Sequence, residues 1–218
     1  MADASKIAKA RSAAGETKRR MSQAAMFSAV GELAYLRESI TAASICRVAK
    51  VGSATFYGHF SSAEECAYKA CDALLSNVAD GIFHRLYMGL RSSLEYFAEY
   101  LTVFDLALIA RVMDDDQRAA IVDQFNLILK QEIGFQLGDP IILPEAEEAV
   151  RSFSEIVVLG MAGAGRVDAD DIMRVVSSWI RGGARTYKGR TIFTASVEAV
   201  SLDGDIETLP ITPATEYR

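Results

Sequence analysis

Residues 41–60 read TAASICRVAKVGSATFYGHF, and this stretch decides the fold. Thr41 can cap a short helix over residues 41–49, with Ile45 and Val48 turned inward. Lys50, Val51 and Gly52 form a tight turn, and a second short helix follows from Ser53 to His59. Two short helices joined by a three- to four-residue turn containing glycine have the helix-turn-helix layout. Ile45, Val48, Val51, Phe56 and Phe60 would fix the helix crossing, leaving Ser53, Ala54, Thr55, Tyr57 and His59 for the outer surface of the second helix. Small residues at its start let the backbone approach base edges, while hydroxyls and an imidazole can reach phosphates. On pattern alone, an ordinary helical corner fits as well.

Outward from this pair the chain reads as helix almost throughout. A helical pattern begins near Lys18, with Met26, Ala29, Val30 and Leu33 at three- and four-residue steps. Residues 1–16 are small, polar and basic, without apolar period, and are expected to form a loose arm. Ser61-Ser62-Ala63-Glu64 carries a capping-box signature for a helix reaching about Asp80. Further apolar stripes run along Phe83–Leu90, Leu94–Phe104 and Ile121–Leu129. Residues 138–144 break the pattern, with Pro144 placed in the first turn of the next helix. Ala146, Ala149, Val150, Phe153, Val157 and Met161 mark that helix; Asp168 caps a last one that stops at Gly182-Gly183. Arg181–Lys188 is read as a helix stop with exposed charge, strand alternation is confined to about Thr191–Val200, and the tail beyond Ser201 is read as loose. The expected fold class is all-α. Its parts are an arm (1–17), a helix-turn-helix domain (18–75), a helical effector-binding and dimerisation domain (76–188) and a tail (189–218).

Composition sets bounds on function. Half of the 218 residues are apolar and 24% are charged, as in globular proteins. The uncharged run Ile156–Gly165 is too short to span a bilayer, and no apolar segment follows the basic residues near Met1, so a cytoplasmic location without membrane association is expected. Cys46, Cys66 and Cys71 form neither a disulfide framework nor a CxxC pair and read as small buried hydrophobes. The net charge of −6 is unevenly spread: residues 1–71 carry +4 and residues 72–218 carry −10. An anionic partner would therefore be met by the N-terminal third.

Ala49–Phe60 with the following Ser-Ser-Ala-Glu-Glu resembles the DNA-binding core of the tetracycline-repressor (TetR) family, approximately A-G-V-S-x-x-T-F-Y-x-H-F-x-x-K-E-E. Val51, Thr55, Phe56, Tyr57, His59, Phe60, Glu64 and Glu65 match it. The likeness covers about residues 18–75. Lys50 stands where a turn glycine is usual, Gly52 where a capping serine is usual, and Ala63 where a phosphate-binding lysine is usual. The resemblance implies a homodimeric, ligand-responsive repressor on an inverted-repeat operator in double-stranded DNA. In that reading Thr41, Tyr57 and His59 hold phosphates, Ser53, Ala54 and Thr55 face the major groove, and Gly52 belongs to the same DNA-binding set. Lys50 adds a phosphate contact by its position.

It also implies effector-binding helices after the fourth. Phe83, Tyr87, Tyr96, Phe97, Tyr100, Phe104 and Phe125, with Phe135, supply aromatic surface for a small hydrophobic effector, or simply a core. The last two helices offer Val150, Phe153, Val157 and Gly160, with Ile172, Val175, Val176 and Trp179, for a four-helix dimer interface; closing the monomer's own core is the competing use.

No enzyme, cofactor or metal is expected. The best nucleophile–base pair, Cys46 with His59, lies inside the helix pair, and His84 is too far along the chain to share a metal with His59. Gly160–Gly165 lacks the strand and Lys-Ser/Thr of a phosphate loop. A helical interaction protein that keeps the fold without DNA binding is the alternative, motivated by Ala63 and Gly52.

Overall fold

The computed structural model describes residues 2–87, 94, 97, 100–138, 140–165, 168–187, 189–195 and 207–208. They are mostly helical, with a few short strands. In chain order the elements are α1 (Ala2–Leu36), α2 (Ala42–Ala49), α3 (Ser53–Tyr57), α4 (Ala63–Tyr87), α5 (Val103–Arg111), α6 (Asp115–Leu137), β1 (Ile141–Ile142), α7 (Pro144–Ala164), α8 (Ala169–Gly183), β2 (Ala184–Tyr187), β3 (Arg190–Phe193) and β4 (Glu207–Thr208). The chain divides into two compact units, Met1–Ser76 with Thr102–Gln117, and Asn77–Leu101 with Arg118–Arg218.

The first unit is built on the apolar stripe of α1. Met26, Ala29, Val30 and Leu33 are buried, as are Ile45 from α2, Phe56 from α3, Cys66 and Cys71 from α4, and Leu106 and Ile109 from α5. α1 ends in a left-handed Arg37 (φ 59°), with Glu38 N–H donating to the Leu33 carbonyl at 3.0 Å. Arg111 of α5 donates to the Ala34 carbonyl at 2.6 Å, putting a cation at the negative end of α1. The two helices pass closely: a Cβ on Gly31 would lie 3.1 Å from the Phe104 Cβ. Residues 102–117 therefore belong with the N-terminal unit, although their sequence position puts them in the second domain. The expected arm also differs, because α1 is helical from Ala2 onward. Ala4, Ala8, Ala10, Ala13 and Ala14 favour helix even where no apolar stripe exists to reveal it.

The cap of α4 falls one residue on from the expected Ser61–Glu64 pair. Glu65 N–H donates to Ser62 Oγ at 3.1 Å at the start of α4, and the Glu65 carboxylate accepts from Ser61 N–H at 2.7 Å. Lys69, then Ser61, hold Glu65 well below the usual carboxylate range, at about 2. α4 runs through Gly81 rather than stopping near Asp80. One interior glycine costs only about 1 kcal/mol, which the flanking turns offset.

In the second unit, Pro144 opens α7 and Asp168 caps α8 by accepting from the Asp170 and Asp171 N–H groups. Gly165 takes the left-handed conformation that ends α7 (φ 67°). Phe97 and Phe125 meet edge to face at 5.1 Å, and Phe153 lies flat on Trp179 at 4.1 Å, with Phe193 at the edge of that indole.

The strands form a sheet in the order β1-β3-β2-β4, with β1 parallel to β3 and the other pairs antiparallel. In the segment expected as a helix stop with exposed charge, α8 does end at Gly183 and Arg181 is exposed, but Ala184–Tyr187 go on into this sheet as β2. Arg185 is buried and donates to the Gly182 and Ala184 carbonyls, both at 2.7 Å. The C-terminal expectation beyond Ala195 falls outside the described residues except for β4.

Candidate nucleic-acid interface

Thr41 sits in extended backbone before α2. Its Oγ1 accepts from Ser44 N–H at 3.1 Å, and Ser44 Oγ accepts from Thr41 N–H at 2.9 Å. This reciprocal cap fixes where α2 starts, and Thr41 stays exposed. α2 stops at Lys50, which adopts the left-handed conformation (φ 54°, ψ 41°). A lysine there holds backbone better suited to glycine. Lys50→Gly is expected to relieve about 1 kcal/mol of that strain, partly offset by the freedom glycine adds to the unfolded chain. A rise in urea midpoint with unchanged slope would register the gain, whereas a fall would show that the lysine side chain itself holds the turn.

Gly52 precedes α3 in extended backbone and provides no side-chain cap; a Cβ there would meet nothing within 4 Å. Sterics therefore do not require glycine. α3 spans only five residues. It is held by Phe56, 0% exposed, and by Phe60 behind it, which packs against Phe56 at 5.7 Å and Phe27 at 5.8 Å. With these rings turned inward, Gly52, Ser53, Ala54, Thr55 and Tyr57 all face solvent, Tyr57 at 62% exposure. Lys50 is exposed beside them.

His59 departs from the sequence-based expectation. It is half-buried, and its Nε2 hydrogen-bonds Ser22 Oγ of α1 at 2.9 Å. Burial, and then the neighbouring Arg19 guanidinium, lower its pKa, so the imidazole is neutral near pH 7. It ties α3 to α1 rather than offering an imidazolium to solvent. Ser22 and Arg19 were not anticipated from the sequence. Ser22 heads the face that continues as Met26, Ala29 and Leu33, and a polar residue on an apolar stripe is the signal that marks it. Ala63 is almost covered at the start of α4, so a lysine there would need to run its stem out over the surface.

Burial raises the Cys46 thiol and pushes Cys66 and Cys71 up to about 12, which suppresses thiolate. No group of three or more potential metal ligands occurs among the described residues. No helix among them is long and apolar enough to cross a membrane.

Compared with models of known protein families, with curated proteins and with solved structures, the chain finds no match.

The aromatic residues expected to line an effector pocket fall in both units. Phe97 and Phe125 are fully packed against each other in the second unit. Phe83 is 73% exposed and Tyr100 lies partly open. Phe104 belongs to the first unit, edge-on to Tyr35 at 5.6 Å. Tyr96 lies outside the described residues, and Tyr87 is described only as the last residue of α4. An open depression on α6, lined by Lys130, Gln131, Gly134 and Phe135, shares Phe135 with that set.

The residues expected at a dimer interface divide as well. Val150 and Val176 are 0% exposed within a single chain and have no surface to offer a second one. Phe153 and Trp179 cover each other, and Val157 and Ile172 are half-buried. Gly160 and Val175 remain open, and with them Ile156 (68% exposed), Leu159 and Gly163. The sequence stripe is thus the face α7 presents to its own core, and a second apolar stripe lies on the opposite face.

Proposed function

We propose that the chain is a DNA-binding transcriptional regulator of the tetracycline-repressor type, using α2 and α3 as a helix-turn-helix. The observation that carries this reading is the sorting of side chains on α3: Phe56 is buried, while Ser53, Ala54, Thr55 and Tyr57 stand exposed beside Thr41 and Lys50. That surface is short, hydroxyl-rich and free of bulk at its leading end, which suits entry into a major groove. Ser53, Ala54 and Thr55 read base edges, Gly52 allows close backbone approach, and Thr41, Lys50 and Tyr57 hold phosphates. His59 acts indirectly, by fixing α3 on α1 through Ser22. The protein acts as a homodimer on an inverted repeat; the exposed stripe Ile156, Leu159, Gly160 and Gly163 supports a second copy as its partner. A small apolar effector bound in the second unit lowers operator affinity, and linkage requires operator DNA to lower effector affinity equally.

Selection of bound duplexes from a random pool, followed by gel shift, tests the reading. Tyr57→Ala weakens all duplexes alike, whereas Thr55→Ala and Ser53→Ala shift the preferred sequence, at about 1–3 kcal/mol for each base edge no longer read. Thr41→Ala gives up its hold on a phosphate and also about 1 kcal/mol of capping, so its melting curve must accompany its binding curve. Failure to enrich any duplex at low salt would overturn the proposal.

A further inference from the structure

The first part of α1 is helix from Ala2 onward. Residues 13–21 are all exposed, on every side of the helix, before the buried stripe begins at Met26. Residues 2–21 contain Lys6, Lys9, Arg11, Lys18, Arg19 and Arg20 against Asp3 and Glu16, and Ile7 and Met21 are their only large apolar side chains. Of these cations, Arg20 is paired with Glu16 at 2.6 Å. A helix polar all round contributes no core of its own, and Gly15 within it costs a further ~1 kcal/mol. What it does carry is positive charge, at a fixed place: Ser22, one residue beyond the segment, is bonded to His59 beside α3.

We propose that residues 2–19 form a rigid cationic extension that runs along the phosphate backbone of duplex DNA flanking the site met by α3. This rests on the DNA-binding function proposed above and extends it. At 1.5 Å per residue the extension is about 26 Å long, the length of seven to eight base pairs at ~3.4 Å each. It reads no bases. Its role is to add phosphate contacts that are independent of sequence and that require flanking duplex. A membrane surface is the poorer fit, because interfacial helices need an apolar face that this segment lacks.

The test compares two duplexes carrying the selected operator, one ending at its edges and one with about ten extra base pairs on each side. The proteins are the full chain and a variant with Lys6, Lys9, Arg11 and Lys18 changed to glutamine. The full chain binds the longer duplex at least tenfold more tightly at low salt. The variant loses that preference, and its plot of log affinity against log salt becomes shallower by about seven on the longer duplex, for four cations on each of two copies at ~0.9 per phosphate contact. On the short duplex the two proteins bind alike, and their melting curves coincide. An equal slope for both proteins on the longer duplex would overturn the extension while leaving operator binding by α3 intact. No binding of the full chain to either duplex would overturn both. Charge-dependent binding of the full chain to vesicles containing phosphatidylglycerol, without a flank effect on DNA, would assign the extension to lipid and overturn its assignment to DNA.

Discussion

Val176→Arg unfolds the second unit rather than releasing a folded monomer. Val176 lies on α8 and is 0% exposed within one chain. A guanidinium forced into that position loses its hydration, and a buried charge that the fold did not evolve to pair costs about 3–5 kcal/mol. Whole domains are stable by only about 5–15 kcal/mol, so the loss removes a large part of what holds the unit together. Trp179, the sole tryptophan, lies one turn along the same helix and stacks on Phe153, so its fluorescence reports this unit directly. The variant is expected to show a red-shifted, solvent-exposed emission and a urea midpoint far below that of the parent. Ile156→Arg provides the contrast: at 68% exposure it leaves the melting curve unchanged and, if a second copy covers that face, abolishes the dimer in sedimentation. A folded Val176→Arg monomer with native fluorescence would place Val176 at an interface after all.

Phe56→Ala produces the second large effect, in the first unit. The ring is fully buried, perpendicular to Tyr57 at 5.3 Å and tilted against Phe60 at 5.7 Å. Truncating a buried phenylalanine costs about 3–5 kcal/mol, through reduced burial and the cavity left behind. α3 has only five residues and cannot persist without that anchor, so binding to every duplex disappears along with the stability. Tyr57→Ala, one position along but 62% exposed, changes stability by no more than about 0.5 kcal/mol while still weakening DNA binding. Thermal melts followed by circular dichroism separate the two. A cost below about 1 kcal/mol for Phe56→Ala would mean that α3 is held in place by something other than this ring.

These two positions show how differently the parts of the molecule were legible. The inward turn of Phe56 and the outward turn of Ser53, Ala54, Thr55 and Tyr57 follow from spacing on a short helix. So do the cap at Thr41, the serine–glutamate start of α4, Pro144 at the head of α7 and Asp168 before α8. All depend on residues within four positions of one another, where backbone geometry leaves few choices, and so the sequence by itself determined them. It did not determine which apolar stripe of α7 would be covered, because Val150 and Ile156 are equally hydrophobic and only the packing of the second unit buries one and exposes the other. Nor could spacing show that Ser22 holds His59 across 37 residues, or that α5 closes on Gly31 of α1. Arg185 is the sharpest case. A charged residue after a helix-ending glycine pair reads as surface, and only the pairing of β2 between β3 and β4 supplies the enclosure, and the nearby carbonyls at Gly182 and Ala184, that let a guanidinium be buried.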